Sequence, residues 1–459
     1  MKRFWKTIIL SVLLALTLCV GAQATENTML KVGLKYGTNA LFTARLQNYN
    51  DTLSGSGYEF GYYDADRSFV PLAVTDELKI TVTVASNAYV SGGVCYETRP
   101  TNYSTILGAC HIELLTAFGS YEEALAVAQS YPKGFVAYID GEYRVRVGNH
   151  ASYDESARVL SETDVLAYGA QVVTPSSTGV VVSVTDTDTV LFEFDCSGLR
   201  SLGVRPRSVS GEKTVTWFSG YRYYGGFEYN RVSGGNLNVI NVVGMTDYIK
   251  GVVPYEVNAA WPTEALKVQA LCAKCYTLNT LGKHRAKGFD LCNTTDCQVY
   301  YGTRKATDAS DAAVEAVNGL YVLYEGKVCQ TYYHATSGGY TEDVENIWNS
   351  AIPYLRAVED TYLEVLSPYS NTVTLDDVTR VLQNKGLIRS NQRVKDFYGT
   401  YTKVGNCVGI TFLLSDGTVY EAKKDKARTV LNSSAGGITV NSHRFTITGG
   451  SGGTTVSVN

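Results

Sequence analysis

The chain has 459 residues, of which 45% are hydrophobic and 18% are charged. This composition supports a sizeable core and about three domains, and it excludes bulk disorder. The net charge of −4 is too small to indicate nucleic acid or an anionic membrane surface as a partner. Tyrosine is frequent, with 34 residues against 14 phenylalanines, which is typical of half-exposed strands and also of surfaces that stack on sugars.

The N-terminus has the pattern of an export signal. Basic residues precede an apolar run from Ile8 to Val20, and Ala22-Gln23-Ala24 fits the small-x-small cleavage rule. The run is shorter than the about 20 residues that a spanning helix needs. We therefore predict a signal peptide at residues 1–24, or an N-terminal anchor if it is not cleaved. The protein is expected to be extracytoplasmic, and this segment is the one predicted membrane contact.

The next two regions differ in periodicity. Residues 29–108 alternate apolar and polar positions, which predicts a β-rich N-terminal part. Residues 110–175 contain an internal repeat, in which Ser120 and Ser152 each open a capping box with a glutamate three residues later. Each predicted helix lies between two strand patterns. The repeat therefore predicts a compact βαββαβ unit.

Strand patterns return in residues 180–447, with helices between them. Thr246 is a predicted N-cap, Pro254 is expected to stop the helix that follows, and Pro262 is expected to open the next helix. The last residues, 448–459, are typical of a flexible tail. The fold class predicted for the whole chain is α+β and rich in strands.

A lone carboxylate, Glu256, follows the apolar residues of "YIKGVVPYEVNAAWPTEALKVQA". One interpretation is a surface turn with a solvated side chain. The other is a carboxyl group that is kept partly dry, so that it holds a proton near neutral pH and can donate it to a substrate.

Several motifs resemble the stage II sporulation protein D and amidase enhancer family: "YIKGVVPYE" with "WPTEALKVQA", "FDLCNTTDCQVYYG", "YYHATSGGYTEDVENIW" and "PYLRAVED". The resemblance is strongest from Gly235 to Asp360. It implies that residues 180–447 form the β-rich catalytic domain of a peptidoglycan lytic transglycosylase, with helices around the active-site cleft. Such an enzyme cleaves denuded, peptide-stripped glycan strands and leaves 1,6-anhydro ends, in sporulation, engulfment or cell-wall remodelling. An N-acetylmuramoyl-L-alanine amidase is the implied protein partner, and no cofactor is required.

The same resemblance implies roles for individual residues. Glu256 matches the catalytic acid. Lys274 and Tyr276 lie on the helix that is expected to back the cleft, where each is either a core or a catalytic residue. The "SGG" turn, Ser337, Gly338 and Gly339, is a predicted substrate-binding element. The acids that follow, Glu342, Asp343 and Glu345, either line the cleft or lie on a solvated turn.

Residues 110–175 resemble the sporulation-related repeat (SPOR) domain, which binds denuded glycan. In "YRVRVGN", Val145 and Val147 are expected to face the helices. Arg144 and Arg146 are then expected to face outward and to bind lactyl carboxylates of stripped muramic acid, with Tyr143 beside them. Solvated arginines without a ligand are the alternative.

Two departures from the family pattern favour a second hypothesis. The family's Ala-Arg-Thr-Tyr reads Ala273-Lys274-Cys275-Tyr276 here, and lysine lacks the planar fork of arginine. The Gly-His-Gly-Val-Gly-Met stretch near the C-terminus of family members is missing. The alternative is a non-catalytic peptidoglycan-binding protein that enhances an amidase.

Four cysteines cluster between positions 272 and 297. Cys272 and Cys275 share one helix face, and Cys292 and Cys297 follow in a loop. Four thiols in this arrangement can form a structural zinc site, two disulfides, or free thiols. The family resemblance implies zinc held by the loop, with Cys292 and Cys297 as ligands, although the histidine that family members carry before the second cysteine is Asp296 here.

Overall fold

The computed structural model describes residues 28–458, apart from residues 51–52, 93, 163–168, 209–210, 212, 232–234, 349, 363–368, 434–438 and 451–452. The predicted signal peptide or anchor lies outside the described residues. The described chain is α+β and rich in strands. The described residues form two compact units, which divide between Thr331 and Tyr332. This boundary falls inside the segment 180–447 that the sequence predicts as one domain.

The first unit contains two large sheets. Its strands are β1 (Met29–Lys35), β2 (Thr43–Gln47), β3 (Tyr49–Asn50), β4 (Leu53–Tyr63), β5 (Phe69–Thr75), β6 (Lys79–Val84), β7 (Ala88–Ser91), β8 (Val94–Tyr96), β9 (Thr105–Leu107), β10 (Cys110–Leu114), β11 (Gly134–Ile139), β12 (Glu142–His150), β13 (Ala170–Val173), β14 (Val180–Val184), β15 (Val190–Asp195), β16 (Leu202–Ser208), β17 (Thr216–Phe218), β18 (Tyr221–Tyr223), β19 (Gly226–Arg231), β20 (Leu237–Gly244), β21 (Leu291–Cys292), β22 (Leu323–Tyr324) and β23 (Lys327–Val328). Its helices are α1 (Tyr121–Ala128), α2 (Tyr153–Glu162), α3 (Met245–Glu256), α4 (Thr263–Thr280) and α5 (Asp308–Ala316), with short 3-10 turns at Gly37–Asn39, Arg285–Lys287 and Thr303–Lys305.

The two sheets pack face to face over one core. The eight-stranded sheet has the order β21-β1-β20-β19-β16-β4-β3, with β5 paired to β4, and the ten-stranded sheet has the order β13-β10-β12-β11-β15-β14-β6-β2-β17-β18. Phe60 of the first sheet and Phe192 of the second stack with ring centroids 5.6 Å apart, and both are buried. Strands β7, β8 and β9 form a separate small sheet in the order β8-β7-β9.

The predicted βαββαβ repeat has the expected element order, β10-α1-β11-β12-α2-β13. Ser120 and Ser152 accept hydrogen bonds from the backbone N–H groups of Glu123 and Glu155, each at 3.2 Å, so the repeated helix starts are as predicted. However, β11 pairs in parallel with β15. The sheet of the repeat is therefore continuous with the ten-stranded sheet, and does not close on itself.

Helices α3 and α4 correct two details of the sequence analysis. Gly244, not Thr246, occupies the N-cap of α3, and Pro254 lies inside this helix instead of ending it. A proline so close to the C-terminus removes only one hydrogen bond from the last turn, and the helix ends two residues later. Pro262 is the N-cap of α4, one residue before its predicted position.

The second unit is built from two three-stranded sheets and short helices. Its strands are β24 (Tyr369–Val373), β25 (Val394–Tyr401), β26 (Cys407–Leu414), β27 (Val419–Lys423), β28 (Phe445–Gly450) and β29 (Gly453–Val458), and its helices are α6 (Val344–Ile347), α7 (Leu375–Asn384) and α8 (Asp425–Thr429). The sheet orders are β24-β29-β28 and β25-β26-β27. The predicted flexible tail thus contains β29, which lies between two partner strands and is held by backbone hydrogen bonds on both edges.

Within the part of the chain that the structure describes, none of the helices combines the length and the apolar character needed to cross a membrane.

Candidate active site and metal centre

Glu256 is the last residue of α3 and is half-buried. Its Oε1 accepts a hydrogen bond from the backbone N–H of Val299 at 3.4 Å. The residues before it, Val252 and Val253, are completely buried. The carboxyl group therefore lies at the edge of the core, at the C-terminus of α3.

Lys274 lies on α4 but faces the end of a neighbouring helix. The side chain is buried, and its Nζ donates to the backbone carbonyl of Val317 at 2.7 Å, which caps the C-terminus of α5. The ammonium group also lies 4.5 Å from the ring centroid of Tyr321. These contacts hold α4 against α5. Tyr276 is half-buried two residues further along, so it cannot share a helix face with Lys274.

A group of side chains that could hold a metal ion lies where the loop after α4 folds back on itself. It consists of His284, Cys292, Asp296 and Cys297, whose ligand atoms all lie within 4.8 Å of one another. His284 Nε2 is 3.4 Å from Cys297 Sγ and 3.2 Å from Asp296 Oδ2, and Cys292 Sγ is 4.0 Å from the same carboxylate oxygen. A hydrogen bond from the Cys297 thiol holds the pKa of Cys292 well below its usual range, while the pKa of Cys297 is raised. Two sulfurs, one imidazole and one carboxylate are a donor set that fits zinc.

The members of this group are not the four cysteines that the sequence suggested as zinc ligands. Cys292 and Cys297 are members as predicted, whereas Cys272 and Cys275 are not. Cys275 is fully buried on α4, and its sulfur accepts from the backbone N–H of Val322. His284 was missed by the sequence analysis, although it lies eight residues before Cys292 and is one of only five histidines in the chain.

The "SGG" turn lies in the second unit. Ser337 is buried, donates to Asp360 Oδ2 at 2.8 Å and accepts from the N–H of Gly339 at 3.1 Å. Gly338 has a φ of +67°, and a Cβ added there would lie 2.4 Å from the Cβ of Arg444. The glycine is therefore required by both conformation and space.

The three acids that follow the turn have structural partners. Glu342 accepts hydrogen bonds from Asn346, Thr402 and Asn406 at 2.8–3.0 Å, and Glu345 forms two 2.7 Å hydrogen bonds to the guanidinium of Arg356. Asp343 Oδ1 accepts from the backbone N–H of Ala357 at 2.8 Å. Each carboxylate thus stabilises the local fold of the second unit. Their prediction as cleft residues is not supported by these contacts.

The predicted glycan-binding residues of β12 are only partly at the surface. Val145 and Val147 are buried, as expected, but Arg146 is also buried, with ion pairs to Glu113 at 2.7 Å and Glu193 at 2.6 Å. The expected outward exposure of Arg146 is therefore wrong. The acids come from β10 and β15, and the pairing of β15 with the repeat could not be foreseen from the repeat itself.

The other two members of that set have different environments. Arg144 stays partly exposed and donates to the carbonyl of Leu115 at 3.1 Å, with Glu142 as an ion-pair partner. Tyr143 donates to the carbonyl of Leu72 at 2.9 Å, and burial raises its pKa to about 12. Glycan binding by Arg144 and Tyr143 stays a prediction.

A cavity of about 560 Å³ lies elsewhere on the first unit. Its wall contains two ion pairs, Lys31 with Glu228 at 2.5 Å and Arg67 with Asp290 at 2.7 Å. None of the site residues predicted from the sequence lines this cavity. Because Glu256 is not among the lining residues, this cavity is a feature separate from the candidate acid.

The fold and the site thus define a strand-rich α+β protein with a half-buried acid and a four-ligand group on one unit. Residues 233–324 match the SpoIID family, described as "Stage II sporulation protein". This segment contains Glu256, Lys274, Tyr276 and all four metal-ligating residues. Residues 233–324 are therefore similar to the SpoIID family, which relates the chain to sporulation and amidase enhancer proteins. The match does not include residues 110–175, so the SPOR-like module stays a prediction.

Two of the three similar curated proteins that follow carry related names. "Amidase enhancer" of Bacillus subtilis (strain 168) is 36% identical over 113 residues, covering 25% of this chain and 15% of that protein. "Stage II sporulation protein D" of the same organism is 32% identical over 158 residues, covering 30% and 45%. An uncharacterized protein of Brachyspira hyodysenteriae (strain ATCC 49526 / WA1) is 32% identical over 209 residues, covering 44% and 56%. The chain thus spans between 15% and 56% of the length of these relatives.

Proposed function

We propose that the protein is an extracytoplasmic lytic transglycosylase that cleaves peptide-stripped glycan strands of peptidoglycan. The proposal rests on one observation above all: the half-buried Glu256 ends a buried helix within the segment that matches the SpoIID family. A single acid suffices for this reaction. Glu256 donates its proton to the glycosidic oxygen and the bond to the anomeric carbon breaks. The 6-hydroxyl of the same sugar then attacks that carbon and passes its proton to the Glu256 carboxylate, which restores the acid.

Metal binding is a separate part of the proposal. His284, Cys292, Asp296 and Cys297 would hold a structural zinc ion, which links the loop after α4 to β21 of the eight-stranded sheet. A zinc ion bound by four protein ligands has no open position for a substrate. The proposed proton donor is therefore Glu256 alone, and the metal supports the fold around it.

The test compares Glu256→Gln with the parent protein on peptide-stripped glycan. Glutamine keeps the size of the side chain but cannot deliver a proton, and general acid catalysis is typically worth about 10²- to 10⁴-fold in rate. We expect 1,6-anhydro ends, measured by mass spectrometry, to form at least about 100-fold more slowly. Glu264→Gln is the matched control, because Glu264 is exposed at the start of α4 and pairs only with Lys267 in the ion pairs of the described residues.

A second candidate function is amidase enhancement without catalysis. It is favoured by Lys274, which stands where the family carries arginine and which is bound to the carbonyl of Val317. If the parent protein binds stripped glycan but forms no anhydro ends, and if it accelerates peptide removal by an added amidase, this function replaces the first. Equal and rapid formation of anhydro ends by the parent protein and Glu256→Gln would refute the role of Glu256.

A further inference from the structure

Three tyrosines form a stack beside the candidate acid. The rings of Tyr221 and Tyr301 are nearly parallel, with centroids 4.9 Å apart, and the ring of Tyr255 meets Tyr301 edge-on at 5.5 Å. All three are half-buried. Tyr255 directly precedes Glu256, and Tyr301 lies two residues after Val299, whose backbone N–H donates to the Glu256 carboxyl group. The stack therefore adjoins the acid through two separate segments of the chain.

Two cations flank this stack. The ammonium of Lys305 lies 4.6 Å from the ring centroid of Tyr255, and the guanidinium of Arg304 lies 5.9 Å from that of Tyr221. Both side chains are exposed. Among the described residues, the ion pairs engage neither Arg304 nor Lys305, in contrast to Lys250 of α3 and Lys267 of α4. An aromatic face attracts a cation without neutralising it, so both charges stay available to an anion.

The backbone fixes the position of this pair. Gly302 has a φ of +62°, and a Cβ at this residue would lie 1.9 Å from the carbonyl oxygen of Arg222. A single bridge joins Gly302 to Arg222, next to Tyr221 at the start of β18. The 3-10 turn Thr303–Lys305 follows immediately. The two cations are thus carried by a tight turn that packs against a strand, and not by a long surface loop.

We infer that Arg304 and Lys305, held by the tyrosine stack, recognise the free lactyl carboxylate of a stripped muramic acid next to the bond that Glu256 protonates. This inference rests on the proposed function, since it names the part of the substrate that the same site reads. Stripped muramic acid carries a carboxylate, whereas muramic acid with its stem peptide carries a neutral amide at that carbon. A guanidinium and an ammonium beside the acid therefore favour the stripped strand.

The experiment compares two forms of one polymer. Peptide-stripped glycan is used directly, or after its carboxyl groups are converted to methylamides by carbodiimide coupling. The full-length protein, Arg304→Ala with Lys305→Ala, and the charge-preserving Arg304→Lys with Lys305→Arg are compared by co-sedimentation and by formation of anhydro ends. Exposed charge contacts are each worth about two- to fivefold. We expect the parent protein to prefer the carboxylate form by roughly tenfold, and the double alanine variant to lose that preference.

Controls separate this inference from the proposed function. Lys79→Ala with Lys327→Ala removes two other exposed lysines of the same unit and should leave the preference unchanged. The preference of the parent protein should also shrink as salt is raised, because exposed charges are screened. Equal binding of both polymers by the parent protein, or an undiminished preference in the double alanine variant, would overturn the inference. Absence of anhydro ends with an intact binding preference would instead overturn only the proposed catalysis.

Discussion

The loss of bound zinc when one ligand of the candidate metal centre is removed is the prediction that the structure defines best. Protein purified under reducing conditions without added metal should contain about one zinc ion per chain, and Cys292→Ser or His284→Ala should abolish it. The two substitutions test different statements. Cys292 was a candidate from the sequence, whereas His284 joins the group only because the 3-10 turn at Arg285–Lys287 brings it back to the loop.

The size of the site supports this expectation. A tetrahedral zinc ion bonded to sulfur at about 2.3 Å and to nitrogen or oxygen at about 2.1 Å places its ligand atoms about 3.4–3.8 Å apart. The separations here are 3.2 Å between His284 Nε2 and Asp296 Oδ2, 3.4 Å between His284 Nε2 and Cys297 Sγ, and 4.0 Å between Cys292 Sγ and Asp296 Oδ2. These three separations therefore lie within a few tenths of an ångström of the tetrahedral values, and all six are within 4.8 Å.

The assay combines metal analysis with thermal unfolding. Free metal at about 1,000 times its Kd stabilises the folded state by about 4 kcal/mol. We expect chelation of the parent protein to lower Tm by several degrees, and we expect chelation to leave the Tm of Cys292→Ser unchanged. Asp296→His, which restores a nitrogen ligand at this position, should retain zinc against a higher concentration of chelator.

Cys272→Ser is the matched control, because Cys272 lies on α4 outside the group of ligands. It should keep its zinc. If Cys272→Ser lost zinc to the same extent as Cys292→Ser, the assignment of His284, Cys292, Asp296 and Cys297 as the ligands would be refuted. A site made of the four cysteines would then be favoured. Intact-mass analysis that shows a disulfide between Cys292 and Cys297 in freshly purified, metal-containing protein would also contradict it.

Three further predictions concern stability. Lys274→Met should lower the free energy of unfolding by about 1–3 kcal/mol in urea, because the Val317 carbonyl loses its buried donor; an unchanged stability with lost activity would instead indicate a catalytic lysine. Gly338→Ala should lower Tm more than Gly417→Ala, since both have positive φ but only the first would meet neighbouring atoms; equal effects would contradict the steric argument. Burial lowers the pKa of His111, so the unfolded chain takes up a proton first and the free energy of unfolding should decrease as pH falls below about 6.5. The free energy of unfolding, measured by urea titration at pH 5 and at pH 7, should differ less between the two pH values for His111→Gln than for the parent protein. An identical pH dependence in the two proteins would refute this account.

The starts of helices and the alternation of strands could be predicted from short stretches of the sequence. The helix starts at Ser120 and Ser152, the opening of α4 after Pro262, and the alternation that buries Val145 and Val147 depend on residues within one or two turns of one another. Capping hydrogen bonds and strand alternation are short-range effects, so they can be predicted without knowledge of the tertiary fold. The apolar residues before Glu256 suggested a partly dry carboxyl group as one of two alternatives, and its side chain is half-buried.

Tertiary structure decided which surfaces are covered and which distant residues meet. Alternation placed Arg146 on the face opposite the helices, but only the pairing of β11 with β15 brings Glu193 to it and buries all three charges of the network with Glu113. The metal group required a turn that returns His284 to Cys297, and the tyrosine stack required β18 to lie beside the turn at Gly302. Such contacts form only when whole sheets and helices pack together. The sequence pattern around one residue does not specify which distant residue it will contact.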